Sequence, residues 1–219
     1  MRYFELVDKL DTKFRPHVAR GTNIRTPRGC AECSTLPQNA SPPDALPIAE
    51  VPHGAMLSFT SWGFGVIARE LLELLGDEGV DCLKLGQLVD AKGGVVNGFR
   101  TFVGVERVFL RGSAESQHHL CKACGVLIYT YLPRESPYLT PPQVASGRAI
   151  YEIESMQLLV NERIRERIGN RWSDALTFYE VPLLDSPLDG LPADISMWPS
   201  PSQLADYKPN PPKWVSPQS

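Results

Sequence analysis

Four of the five cysteines fall in two tight pairs, Cys30-Ala31-Glu32-Cys33 and Cys121-Lys122-Ala123-Cys124, the second followed by Gly125. A C-x-x-C turn sets two thiolates on one edge of a short loop, at the bite a tetrahedral zinc ion takes. Two such turns supply four sulfur ligands. Gly125 suits a position of positive φ, where backbone amides turn towards a metal-bound sulfur. The 87 residues between Cys33 and Cys121 far exceed the about 15 to 20 of a compact zinc ribbon. The expected role is therefore a structural staple, in which ligation free energy becomes folding free energy. Four sulfurs leave no open position for water or substrate, which argues against metal catalysis. The residues leave other readings open: thiols that face one another without metal or form a disulfide, and a redox pair. The redox pair lacks its strand–C-x-x-C–helix setting, because the second pair opens a strand. His118 and His119 stand close enough to Cys121 to replace one ligand, although they read more simply as exposed loop histidines. Cys82 reads as a buried apolar residue.

Little else in the chain points to chemistry. There is no P-loop, G-x-G-x-x-G, H-E-x-x-H or G-x-S-x-G. The four histidines, His17, His53, His118 and His119, have no catalytic setting. Glu70, Glu73, Glu162 and Glu166 read as solvated helix surface partnered by Arg69, Arg163 and Arg167. The expectation is a binding protein and not an enzyme.

The positioning elements follow from hydrophobic periodicity. Residues 1 to 8 read as a strand. Ile67, Leu71, Leu74 and Leu75 lie on one helical face within Phe64–Gly76, with Gly76 as its stop. A strand-like run from Val80 to Leu85 follows. Val160, Ile164 and Ile168 repeat the face, Gly169 repeats the stop, and a strand over Ala175–Val181 follows again. Aligning Ile67 with Val160 brings Leu71 to Ile164, Leu75 to Ile168 and Gly76 to Gly169. Further strands are expected over 102–110, 126–132 and 149–153, with turns at Gly93-Gly94 and Asn97-Gly98. Residues 34 to 53 read as a Pro-rich irregular loop. The fold class is α+β: a mixed or antiparallel sheet with a few short helices, two helix–strand units forming a candidate duplication, and a zinc knuckle pair as staple.

The chain has 219 residues, 42% of them hydrophobic, and a formal net charge of −3. That suffices for a core and gives no basic excess for phosphate backbones. Nucleic acid is thus an unfavoured partner, although Lys13, Arg15, Arg20, Arg25 and Arg28 beside the first pair support an alternative zinc-containing nucleic-acid-binding or regulatory module. No stretch is long and apolar enough to span a bilayer, and the charged N-terminus does not resemble a signal peptide. A cytoplasmic location is expected. Nine of 20 prolines lie in the last 38 residues. The expected organisation is one domain over 1–184 and a Pro-rich tail over 185–219, extended or docked through Trp198, Tyr207 and Trp214. Trp62, Trp198 and Trp214 are candidate interface residues.

The opening Met1-Arg2-Tyr3-Phe4, the C-x-x-C pair near residue 30 and the central C-x-x-C-G resemble the double-CXXCG immunity proteins of swarming bacteria that exchange toxins with their kin. The segment from Ile150 to Pro182, with Leu-Leu-Val-Asn-Glu-Arg and Phe-Tyr-Glu-Val-Pro, resembles the family's C-terminal unit. The likeness covers roughly residues 1 to 184, with Ser34 in place of the first motif's Gly. It implies a cytoplasmic antitoxin that occludes a cognate toxin encoded by a neighbouring gene, through a protein–protein interface and without chemistry of its own.

Overall fold

A computed structural model of the chain describes residues 1–9, 29–33, 35–49, 54–60, 63–131, 135–153, 157–172, 174–205 and 207. Over these residues the chain is α+β, as the sequence pattern implies. The strands are β1 (Tyr3–Asp8), β2 (Ala45–Pro47), β3 (Leu57–Phe59), β4 (Gly65–Ala68), β5 (Leu83–Val89), β6 (Val95–Gly104), β7 (Arg107–Val108), β8 (Gln117–Leu120), β9 (Leu127–Thr130), β10 (Ile150–Ile153), β11 (Leu158–Asn161) and β12 (Leu176–Val181). The helices are α1 (Arg69–Val80) and α2 (Glu162–Ile168). The sheets run β12-β1-β11-β10-β7 and β2-β5-β6-β4-β3, and β8 pairs β9 alone. The chain clusters into two compact units, Met1–Arg107 with Arg148–Glu180, and Val108–Gly147 with Val181–Ser219. Proline density marks a boundary at 184, whereas packing groups the segment from Val181 onward with Val108–Gly147.

In the first unit, the two segments aligned by sequence are one structural motif used twice. A shift of 93 residues, from Ile67 to Val160, carries β4 onto β11, the first turns of α1 onto α2, and the start of β5 onto that of β12. It also carries the β3–β4 register (Leu57↔Ile67, Phe59↔Gly65) onto that of β10–β11 (Ile150↔Val160, Glu152↔Leu158). Single backbone bonds repeat as well. Ala68 N–H donates to Met56 O at 2.8 Å, and Asn161 N–H to Ala149 O at 2.9 Å. The equivalent side chains Leu57/Ile150, Ile67/Val160, Leu71/Ile164, Leu75/Ile168 and Leu83/Leu176 all enter one buried core.

Both helices start later than the periodicity implies, since Ile67 and Val160 are the penultimate residues of strands. The i, i+4 spacing survives because each strand and the helix after it bury the same side against one core. Gly76 and Gly169 have φ of 62° and 51°, a backbone region that favours glycine. Gly76 interrupts α1, which resumes as far as Val80. Asn161 caps α2 by accepting the Ile164 N–H at 2.9 Å.

A second core covers the other face of the β5–β6 sheet. Leu36, Ala40, Leu46 and Ile48 pack there on Phe64, Val66, Leu88 and Val103. The expected loop over 34–53 therefore needs correction at residues 45 to 47, where β2 pairs in parallel with β5. Its Pro47 is tolerated because β2 is an edge strand. Asn97-Gly98 is likewise no turn but part of β6. The β5–β6 turn is at Gly93 (φ 86°), where Asp90 Oδ1 accepts the Lys92 and Gly94 N–H groups.

The second unit has little regular structure. The β8–β9 hairpin, a 3-10 turn at Pro141–Val144 and single bridges at Arg111↔Tyr138 and Leu139↔Leu183 carry it. The segment from 189 to 197 contributes buried side chains to it. Leu191, Ile195 and Met197 are buried, and Leu127 N–H donates to Met197 O at 2.7 Å.

Candidate metal centre

Each cysteine pair sits on a turn that closes itself. Cys30 N–H donates to Thr35 O at 2.9 Å, and Cys121 N–H donates to Val126 O at 2.9 Å. In both, the first cysteine bonds the carbonyl five residues on, so the two turns share a closing bond. The second turn is better anchored, because it caps the β8–β9 hairpin at the Leu120↔Leu127 pair. Gly125 has φ 71°, as its place after the motif implies, and its N–H returns to Cys121 O at 2.8 Å.

The sulfurs of Cys30, Cys33, Cys121 and Cys124 all lie within 4.8 Å of one another. None of the five cysteines is in a disulfide. A tetrahedral zinc–thiolate site, with bonds of about 2.3 Å, has sulfur–sulfur edges of about 3.8 Å. The four sulfurs lie close enough together to be compatible with a structural metal ion. Cys121 is buried, Cys30 and Cys33 are half-buried and Cys124 is exposed. Among the described residues, no histidine joins the group.

His118 and His119 are not in a loop. Both are on β8, and His118 is buried. Alternation along the strand sends them to opposite faces. His118 stacks on Tyr129 at 5.7 Å between ring centroids and meets Tyr207 at 5.8 Å. Burial lowers the basicity of its imidazole, Asp189 opposes that effect, and Arg111 and His119 add to it. His17, His53, Trp62, Trp214 and the basic stretch from Lys13 to Arg28 lie outside the described residues. Trp198 is half-buried, and Cys82 is buried beside β5 as expected.

The ion pair of Arg111 and Asp189, both side chains fully buried, is a feature that sequence reasoning missed. Arg111 Nε and Nη2 donate to the two Asp189 oxygens at 2.9 and 2.5 Å. Its remaining donors reach the carbonyls of Leu191, Pro192 and Ala193. Tyr129 OH and Leu191 N–H also donate to Asp189. The only sequence signal is an arginine ending the apolar run Val108-Phe109-Leu110. Its partner, 78 residues away in a Pro-rich segment, carries none.

Among the described residues, no helix is long and apolar enough to cross a membrane. No protein-family model matches the chain, and no curated protein matches it.

Proposed function

We propose that this protein is an immunity protein whose fold is stapled by one zinc ion, and that it neutralises a cognate toxin by binding and occluding it. The observation that carries the metal assignment is the cluster of four thiols on two matching turns. Four thiolates select a soft or borderline ion of tetrahedral preference, and zinc is the common redox-inert choice. Such a site is closed, so the ion supports structure and has no place for a reacting water. It holds two turns that are remote in sequence, and the free energy of ligation adds to that of folding. The immunity assignment is supported by the paired motifs, the Met1-Arg2-Tyr3-Phe4 opening and the segment from Ile150 to Pro182.

Two measurements test the two parts separately. Purified protein is expected to carry about one zinc per chain, and Cys121→Ser to lose it together with thermal stability; less than about half an equivalent in the unmodified protein rejects the staple. Expression of the chain is expected to rescue cells producing the toxin encoded by the neighbouring gene. If neither rescue nor a stable complex with that product is seen, the immunity reading fails while the metal assignment stands.

A further inference from the structure

Among the described residues, the two five-stranded sheets end in four edge strands, and three of them are protected. β2 and β3 have three residues each, β2 carrying Pro47, and β7 has two. Short edges and proline are common defences against pairing with another chain. The fourth edge strand, β12, has six residues, Leu-Thr-Phe-Tyr-Glu-Val, with no proline, glycine or lysine. Threonine, valine and aromatic residues favour the extended state. Tyr179 is 57% exposed, and Phe178 is only partly covered by the core it packs on.

Backbone bonds fix which groups of β12 face outward. Ala175 O accepts the Lys9 N–H from the β1 side at 2.9 Å. Backbone groups alternate in direction along a strand. Those of Thr177 and Tyr179 therefore also face β1, and those of Leu176, Phe178 and Glu180 face away. The bonds beyond the strand agree, because Pro182 O and Leu184 N–H both pair with Leu139 at 2.9 Å. The repeat supplies a comparison. In the first copy Gln87, the equivalent of Glu180, donates its N–H to Asp44 O beside β2. In the second copy Leu139, which the same shift relates to Leu46 of β2, pairs two residues further on, at Leu183. Among the described residues no strand therefore lies beside the outward groups of Leu176, Phe178 and Glu180.

A second copy of β12 fits this edge. An antiparallel pair centred on Phe178 sets Phe178 opposite Phe178, Leu176 opposite Glu180 and Thr177 opposite Tyr179. Every outward N–H and C=O of Leu176, Phe178 and Glu180 is then paired. The two Phe178 rings become cross-strand neighbours, and each covers the side of the other that its own core leaves open. The charges are compatible with a copy of the same strand. Glu180 is the only charged residue of β12 and stands opposite Leu176. The two carboxylates stay about 14 Å apart along the strands, beyond the Debye length of about 8 Å.

We propose that β12 is a self-association edge: two chains pair antiparallel through Leu176–Glu180 about a two-fold axis at Phe178. The pairing uses both edges and so closes at a dimer. It rests on the fold alone, apart from the metal and immunity readings.

Sedimentation velocity of the full-length, zinc-loaded protein from about 1 to 200 µM tests it. A concentration-dependent shift from monomer to dimer is expected, with a Kd below about 100 µM. Glu180→Pro removes an outward N–H and fills space the partner strand needs, while the β1–β12 ladder keeps its bonds. It is expected to weaken association at least about tenfold and to leave the melting temperature of the dilute monomer unchanged. Should it perturb folding, Thr177→Lys with Tyr179→Lys sets like charges opposite one another across the axis and leaves the backbone intact. The proposal is overturned if the chain stays monomeric at about 200 µM, or if a folded edge variant dimerises normally. A chain that stays monomeric and loses a complex with another protein on Glu180→Pro assigns the edge to that partner and overturns self-pairing.

Discussion

Glu152 is a carboxyl group placed where the protein's own architecture calls for an apolar side chain. It lies on β10 and is 4% exposed. Its equivalent in the first half, by the shared register, is Phe59, which packs edge-on against Phe102. Burial pushes the Glu152 carboxyl up from 4.5 to about 7, opposed by Arg107 and by the Gly104 N–H that it accepts at 2.5 Å. The folded state therefore holds a proton that the unfolded chain releases near pH 4.5. Stability from this group is fully present below pH 4.5 and is lost as pH rises towards 7, above which the loss is constant. Holding the proton up to about pH 7 in place of 4.5 corresponds to on the order of 3 kcal/mol. Glu152→Gln keeps the acceptor for Gly104 and removes the ionisation. Urea unfolding at pH 5 and pH 8, with the difference taken at each pH, isolates this residue from the cysteines and any bound metal. The variant should gain on the wild type by on the order of 3 kcal/mol at pH 8 and by little at pH 5. Equal differences at the two pH values, or a less stable variant at pH 8, would refute the reasoning.

Three further perturbations test individual arrangements. Gly169→Ala places a side chain at φ 51° in open space and should cost about 1 to 3 kcal/mol in chemical denaturation. Gly76→Ala meets similar strain and also displaces the Arg167 guanidinium, which bonds Leu75 O and Glu78; it should cost about 1.5 to 3 kcal/mol more. Arg111→Met alone strands the buried Asp189 carboxylate and should cost about 3 to 5 kcal/mol, whereas Arg111→Met with Asp189→Leu should recover most of it, as a double-mutant cycle by thermal unfolding would measure.

The parts of the fold that could be read from the sequence are those where burial leaves a periodic trace. The paired faces around Leu71 and Ile164, each with a glycine stop, were legible because the structure buries them as equivalent positions of one core. The strand preceding each helix was not, because a helix face and the end of a strand entering the same core give one apolar spacing. The cysteine turns were legible because ligand chemistry restricts both residue type and local spacing. The Arg111–Asp189 pair was not, because the residues that satisfy Arg111 lie in a segment whose proline content conceals its packing. His118 was misread for a related reason: two adjacent histidines look like a solvated loop, and only pairing of β8 with β9 assigns them to opposite faces.

The repeat also explains why the first unit should fold as one body although it is assembled from two copies of a motif. In the first copy the third strand is β6, which follows β5 directly and lies between β5 and β4. In the second copy that place, between β12 and β11, is taken by β1 from the opposite end of the chain. The equivalence extends to single bonds: Val105 N–H donates to Cys82 O, and Lys9 N–H to Ala175 O, both at 2.9 Å. Each copy then reaches across to the other. Asp8, at the end of β1, accepts the Met56 and Leu57 N–H groups at the start of β3, while Gly104, the equivalent end of β6, donates to Glu152 on β10. The crossings join corresponding strands but differ in chemistry, since the carboxylate belongs to the third strand in one and to β10 in the other. A strand borrowed from the N-terminus makes the second copy incomplete until residues 3 to 8 are in place, and both copies bury their apolar faces in one shared core. The buried carboxyls at the crossings, Asp8 and Glu152, stand where the other copy has Gly104 and Phe59, and each makes a polar connection between the copies.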